Sequence, residues 1–99
     1  MLHAHWGTFT KQASLKTGLR FAESAMRRQG FTIWDTSADN DYQVIGGNSD
    51  VIATVVCVPQ SGNLWMTVSA YSMDSGLAER TRNDVRAHIV NAVLFDDHQ

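Results

Sequence analysis

His3 and His5 are the first residues of the chain able to do chemistry. They alternate in a short extended run, and alternate strand residues share a face, so the pair offers two imidazoles to one metal ion. Two ligands do not make a site, and no spacing marks a third, because His88 and His98 stand far off in the chain. Metal binding at His3 and His5 is therefore an alternative reading, and no cofactor is expected.

Other groups lack the context their chemistry needs. Asp35, Asp39 and Asp41 cluster as the acids of a calcium loop would, but the glycine midway along such a loop and the glutamate at its end are missing. They read as solvated turn acids. Cys57 could serve as a nucleophile beside a histidine, yet it lies in the most apolar run of the chain, where thiols are buried and inert. Ser69, Tyr71 and His88 could be assembled into a polar site, but no nucleophile elbow or glycine motif supports one. Gly46-Gly47-Asn48 lacks the Lys-Ser/Thr of a phosphate loop and opens a strand instead of a helix.

The bulk numbers narrow the class. Ninety-nine residues are enough for one domain, taken as 1–99, and too few for a second core. The formal net charge of −2 gives no support to a dominant phosphate-binding role, so nucleic acid is not the expected partner. One cysteine cannot close an internal disulfide, which suits a reducing compartment and a cytoplasmic protein. No apolar run approaches the roughly 20 residues that cross a bilayer. The first residues lack the basic and apolar regions of a signal peptide, so none is expected.

The elements that position these residues follow from periodicity. Val51 to Val58 is a β-branched run that reads as a strand, and Pro59 to Asn63 supplies turn chemistry, with Gly62 free to take positive φ. Leu64 to Tyr71 alternates: Leu64, Met66, Val68 and Ala70 face one way, Trp65, Thr67, Ser69 and Tyr71 the other. Leu2 to Phe9, Phe31 to Asp35 and Asp41 to Ile45 read as further strands, and Gly46 to Ser49 as a turn using positive φ. Thr10 to Gln29 is predicted as a helix capped by Thr8 or Thr10. Its apolar stripe is Leu15, Leu19, Ala22 and Met26, widened by Phe21 and Ala25, and it ends at Gly30. Its outward face carries Lys11, Lys16, Arg20, Arg27 and Arg28 against Glu23.

Asp74 to Phe95 is the closing helix, with Leu77, Thr81, Val85, His88 or Ile89, and Ala92 inward. On its surface Arg80–Asp84 and Glu79–Arg82 are spaced as ion pairs.

The expected architecture is an α+β two-layer sandwich in the order β-α-β-β-β-β-α. Its sheet is mostly antiparallel, with a parallel crossover from the first strand to the second and two helices on one face. The other face would then show Thr32, Trp34, Gln43, Ile45, Ile52, Thr54, Val56, Trp65, Thr67, Ser69 and Tyr71. From Gly30 to Glu79 the chain has no Lys or Arg, so this face is apolar, aromatic and hydroxylic. A face in water normally carries charge. The expectation is a homo-oligomeric binding module, a dimer first, that uses Trp34, Tyr42, Thr54, Trp65, Thr67, Ser69 and Tyr71 toward a protein partner or a small apolar ligand. The alternative is a small enzyme whose pocket is lined by Trp34, Tyr42, Trp65 and Tyr71.

Overall fold

The computed structural model describes residues 1–35 and 42–92. Its elements are β1 (His3–Lys11), α1 (Leu15–Arg28), β2 (Thr32–Asp35), β3 (Gln43–Gly47), β4 (Val51–Gln60), β5 (Asn63–Ser72) and α2 (Ser75–Asn91). The five strands form one sheet in the order β1-β5-β4-β3-β2, and every neighbouring pair is antiparallel. Both helices cover one face: α1 lies over β2, β3 and β4, and α2 over β1 and β5. This is the predicted β-α-β-β-β-β-α sandwich, with one correction. β1 and β2 do run the same way, but at opposite edges, so the helical crossover spans the full sheet and leaves no parallel neighbours. The long apolar strands β4 and β5 occupy inner positions.

The β4–β5 hairpin closes through Ser61-Gly62, with Gln60 paired to Asn63 and Gly62 at φ 86. The predicted turn is longer than the real one because Pro59 stays in the ladder opposite Leu64. Cys57 N donates to Tyr42 O at 2.7 Å, so the nitrogen of Pro59 points to the same side, beyond the start of β3, where no N–H is needed.

β1 stays extended through Lys11, two residues past its predicted end, because Lys11 pairs with Leu64. α1 therefore starts late. Its N-cap is Ser14, whose Oγ accepts from Thr17 N at 3.1 Å, in place of Thr8 or Thr10. It ends as predicted on Gly30, at φ 77, with Gly30 N donating to Arg27 O and Phe31 N to Met26 O, the paired bonds of a Schellman motif. The buried face of α1 is Gly18, Phe21, Ala22, Ala25 and Met26, and Leu15 and Leu19 sit at its margin. The stripe is rotated toward small residues: a Cβ on Gly18 would run into Leu64 Cδ1, so the missing side chain lets the helix lie close on β4 and β5.

α2 starts on Asp74, whose carboxylate accepts from Leu77 N at 3.1 Å. It buries Ala78, Thr81, Val85 and Ile89. Leu77 is half-buried beside them, and His88 turns off this stripe toward α1. Arg82 does not turn to Glu79; it donates to Trp6 O and Asn83 Oδ1. α2 ends at Asn91, short of the predicted end at Phe95, because the backbone of Ala92 turns extended at ψ 143; the tail at 93–99 lies outside the described residues.

Gly46 and Gly47 belong to β3, not to a turn, and neither has positive φ. The turn is built by Asn48, whose Oδ1 accepts from Asp50 N and Val51 N.

The uncharged sheet face and other candidate sites

Strand pairing fixes which side chains share the face away from the helices. Tyr71 pairs with Ala4 and Ile52, Ser69 with Trp6 and Thr54, Thr67 with Thr8 and Val56, and Trp65 with Thr10 and Val58. β3 adds Ile45 opposite Thr54 and Gln43 opposite Val56. Directly opposed residues project to one side, and the alternate residues Val55, Cys57, Met66, Val68 and Ala70 are fully buried under the helices. The predicted parity of Ile52, Thr54, Val56, Trp65, Thr67, Ser69 and Tyr71 is therefore the parity of the structure.

β2 reaches the face by an irregularity. Its register with β3 slips between Ile33 and Asp35, and Trp34 Cη2 comes within 3.1 Å of where a Gly47 Cβ would stand. The indole thus lies against bare glycine backbone opposite Ile52. Tyr42 stands apart: it precedes β3, half exposed, at a position that extends the register opposite Cys57 on the helix side.

Sequence reasoning left out the β1 column. Ala4, Trp6, Thr8 and Thr10 widen the face by a strand, and Trp6 is 66 % exposed. Trp34 is 51 % exposed, Ile52 42 %, Val58 39 % and Trp65 36 %. The alternation in β1 was visible; what was missing was its partner, β5. Among the described side chains of this face none is charged. Asp35 ends β2 at the rim, opposite Ile45.

Trp65 and Tyr71 lie at opposite ends of β5, about 20 Å apart at 3.3–3.4 Å per residue. Trp34, Tyr42, Trp65 and Tyr71 therefore do not converge on one pocket. Near the middle of the face, Thr67 Oγ1 is shielded from solvent and makes no hydrogen bond.

The remaining candidates separate. His5 Nε2 lies 3.1 Å from Ser75 Oγ, and among the described residues no three His, Cys, Asp or Glu side chains gather. The acids Asp39 and Asp41 lie outside the described residues, as does His98. Cys57 is buried, and desolvation pushes its thiol up to about 11, so it stays protonated at neutral pH. Ser69 and Tyr71 cannot meet His88, because the sheet stands between them and α2. Lys11 belongs to β1 and not to the basic face of α1.

That basic face borders a groove of about 650 Å³ between α1 and α2, lined by Arg20, Phe21, Ser24, Arg28, Ala87, His88, Asn91 and Ala92. His88 Nε2 lies 3.2 Å from Ser24 Oγ, and burial, then the Arg28 charge, hold its pKa below 6.5. Among the described residues no helix is long and apolar enough to cross a membrane.

No protein-family model matches the chain. No curated protein matches it either. Among solved structures the chain is similar to an uncharacterized protein from Rhizobium leguminosarum, at 10 % identity and a TM-score of 0.43, covering 100 % of this chain and 99 % of that one. At that score the likeness carries no argument about function.

Proposed function

We propose that this chain is a small binding module that pairs with a second copy of itself through the uncharged sheet face. The observation that carries this reading is a five-strand face with Trp6, Trp34, Ile52, Val58 and Trp65 exposed and no charged side chain among those described. Water solvates such a surface poorly, and an exposed patch of this kind marks an interface. Five strands spaced about 4.8 Å apart, three of them nine or 10 residues long and the other two four and five, present roughly 600 Å² in projection. That is near the roughly 800 Å² each partner gives to a stable complex. Trp and Tyr set among small hydroxyl residues have the composition of an interface core. A two-fold axis through the face would set sheet against sheet about 10 Å apart, as in a β-sandwich.

A small apolar ligand is the second reading, favoured by the corner where Trp34 covers Gly47 beside Ile52 and Tyr71. The buried thiol of Cys57 suits a cytoplasmic setting for either.

Light scattering over a dilution series tests the pairing. The expected result is twice the chain mass, persisting on dilution, with Trp65→Lys and Thr54→Arg shifting the protein to monomer or to aggregate. A wild-type monomer at all concentrations, or variants that keep both the mass and the stability of wild type, overturns it.

A further inference from the structure

The outer edge of β1 flanks the sheet face, and the pairing reading does not use it. The β4–β5 hairpin decides which backbone groups point there. In a two-residue hairpin the flanking residues, here Gln60 and Asn63, exchange hydrogen bonds, so Asn63, Trp65, Thr67, Ser69 and Tyr71 turn their N–H and C=O toward β4. The alternate residues of β5 turn theirs toward β1, where they meet His3, His5, Gly7, Phe9 and Lys11. Ala4, Trp6, Thr8 and Thr10 are left with N–H and C=O directed out of the sheet, and all four residues are exposed. Arg82 agrees with that parity, donating from Nη1 to Trp6 O at 2.8 Å. β1 is thus a nine-residue edge at which Arg82 occupies one carbonyl, and an edge of this kind can accept a further strand.

Its two flanks differ. Directly opposed residues of paired strands project to the same side. On the open face an added strand lies beside Ala4, Trp6, Thr8 and Thr10, which are apolar or hydroxylic. On the helix side it lies beside Gly7 and Phe9. There α2 supplies Arg82, whose stem passes over Gly7, and Arg86, whose guanidinium stands 5.2 Å from the centre of the Phe9 ring. Among the described residues neither arginine bonds a carboxylate: Arg82 donates to Trp6 O and Asn83 Oδ1, and Arg86 rests on the ring. Asp84 is two residues from each and so faces away, which leaves Glu79, three residues before Arg82, as the acid on this flank of α2. A second copy of β1 fits such an edge badly, because a two-fold axis through the strand brings the Arg82 and Arg86 of both copies together. A strand that carries acids fits it well.

We propose that the outer edge of β1 binds an extended acidic peptide, added as a further antiparallel strand whose side chains alternate between acid and apolar. The acids lie opposite Gly7 and Phe9, within reach of Arg82 and Arg86. The apolar residues lie opposite Trp6, Thr8 and Thr10 and continue the sheet face past the Trp6 indole. On binding, a peptide N–H takes the place of Arg82 at Trp6 O, and the freed guanidinium turns to a carboxylate. The exchange leaves no acceptor without a donor.

The probe is the peptide acetyl-Thr-Val-Glu-Val-Glu-Val-Thr-amide, titrated against the full chain and followed through the backbone amide signals in NMR. Expected is saturable binding, with amide exchange slowed at Ala4, Trp6, Thr8 and Thr10. An isomer with its two glutamates adjacent can set only one of them toward α2. It should bind about threefold more weakly, the effect of one exposed ion pair, and Arg86→Gln should narrow that gap. N-methylation separates backbone pairing from charge. Methylated on its valines, whose N–H groups face β1, the peptide should lose binding; methylated on its glutamates, whose N–H groups face away, it should keep it. No saturation at millimolar peptide, equal binding of the two isomers, or equal loss from methylating either set overturns the proposal. So do amide changes confined to strands other than β1. None of these readouts depends on whether the sheet face forms a dimer.

Discussion

Lys11 Nζ lies 2.6 Å from Ala92 O, so the last residue of β1 caps the last turn of α2 across 81 positions of sequence. The same ammonium donates to Val90 O. A cation at a helix C-terminus satisfies carbonyls that no helical N–H can reach and meets the negative end of the dipole. Lys11→Met keeps the aliphatic stem and removes both bonds. It should cost about 1–2 kcal/mol, since the bonds are charge-assisted but partly solvated. Urea unfolding would give the loss, and amide exchange should quicken in the last turn of α2 first. An unchanged exchange pattern would mean that the helix end is held by packing alone.

Glycines 46 and 47 sit where side chains would collide with backbone. A Cβ on Gly46 would stand 2.7 Å from Thr32 O and 3.1 Å from Met26 Sδ, and one on Gly47 would run into Val51 O. In an open strand, Gly→Ala stabilises by roughly 0.5–1 kcal/mol through backbone entropy. Here the sign reverses. Gly46→Ala and Gly47→Ala should each destabilise by about 1–3 kcal/mol, and Gly47→Ala should also lift the Trp34 indole, seen as a change in its fluorescence. Stability equal to wild type in either variant would contradict the close approach of β2 and β3.

Cys57 gives a pH dependence with a definite sign. Its thiol ionises at 9.0 when unfolded and only at about 11 when folded, because burial penalises the thiolate. The neutral thiol is thus the native form. Its contribution is full below pH 9 and is lost as pH rises toward 11, by up to about 3 kcal/mol. Chemical unfolding between pH 8 and 11 should show a steeper fall for wild type than for Cys57→Ala, which lacks the group. A thiol reagent should label the native protein only through opening. Parallel slopes for the two proteins, or fast native labelling, would show that the thiol is not shielded.

What the sequence disclosed, and what it hid, divides by range. Period-two alternation in 64–71 placed Trp65, Thr67, Ser69 and Tyr71 on one face, and uncharged strand centres identified that face as unusual. Those signals are local. The pairing of β1 with β5 joins residues 53 (Lys11 to Leu64) to 69 (His3 to Ser72) positions apart and leaves no mark on either strand, so the Trp6 column was not joined to the face. The same blindness misplaced Lys11, whose partners are on α2, and read Gly46-Gly47 as a turn when their smallness serves β2 and Met26. α1 shows a subtler miss: the predicted stripe runs from Leu15 and Leu19 through Ala22 and Met26, but a close approach to the sheet is made at Gly18, which hydropathy ignores.

The edge strand supplies the last prediction. β1 is nine residues long and has a neighbour on one side only, which makes its outer edge a template for pairing with another chain. Arg82 crosses from α2 and donates from Nη1 to Trp6 O at 2.8 Å, and its stem passes over Gly7, where a Cβ would stand 3.7 Å from Arg82 Cδ. Arg86 follows with its guanidinium 5.2 Å from the centre of the Phe9 ring. These side chains put positive charge beside the edge and occupy one of its acceptors. Arg82→Ala removes both protections at that point. Its thermodynamic cost should be small, about 1 kcal/mol, because the bond is exposed. Its kinetic effect should be larger: on mild heating the variant should form high-mass, thioflavin-positive species that wild type does not, while Arg82→Lys, which keeps charge and reach, stays close to wild type. Scattering by Arg82→Ala that matches wild type at equal concentration and temperature would mean that β1 is guarded by its own strand twist, or covered by a partner, and not by Arg82.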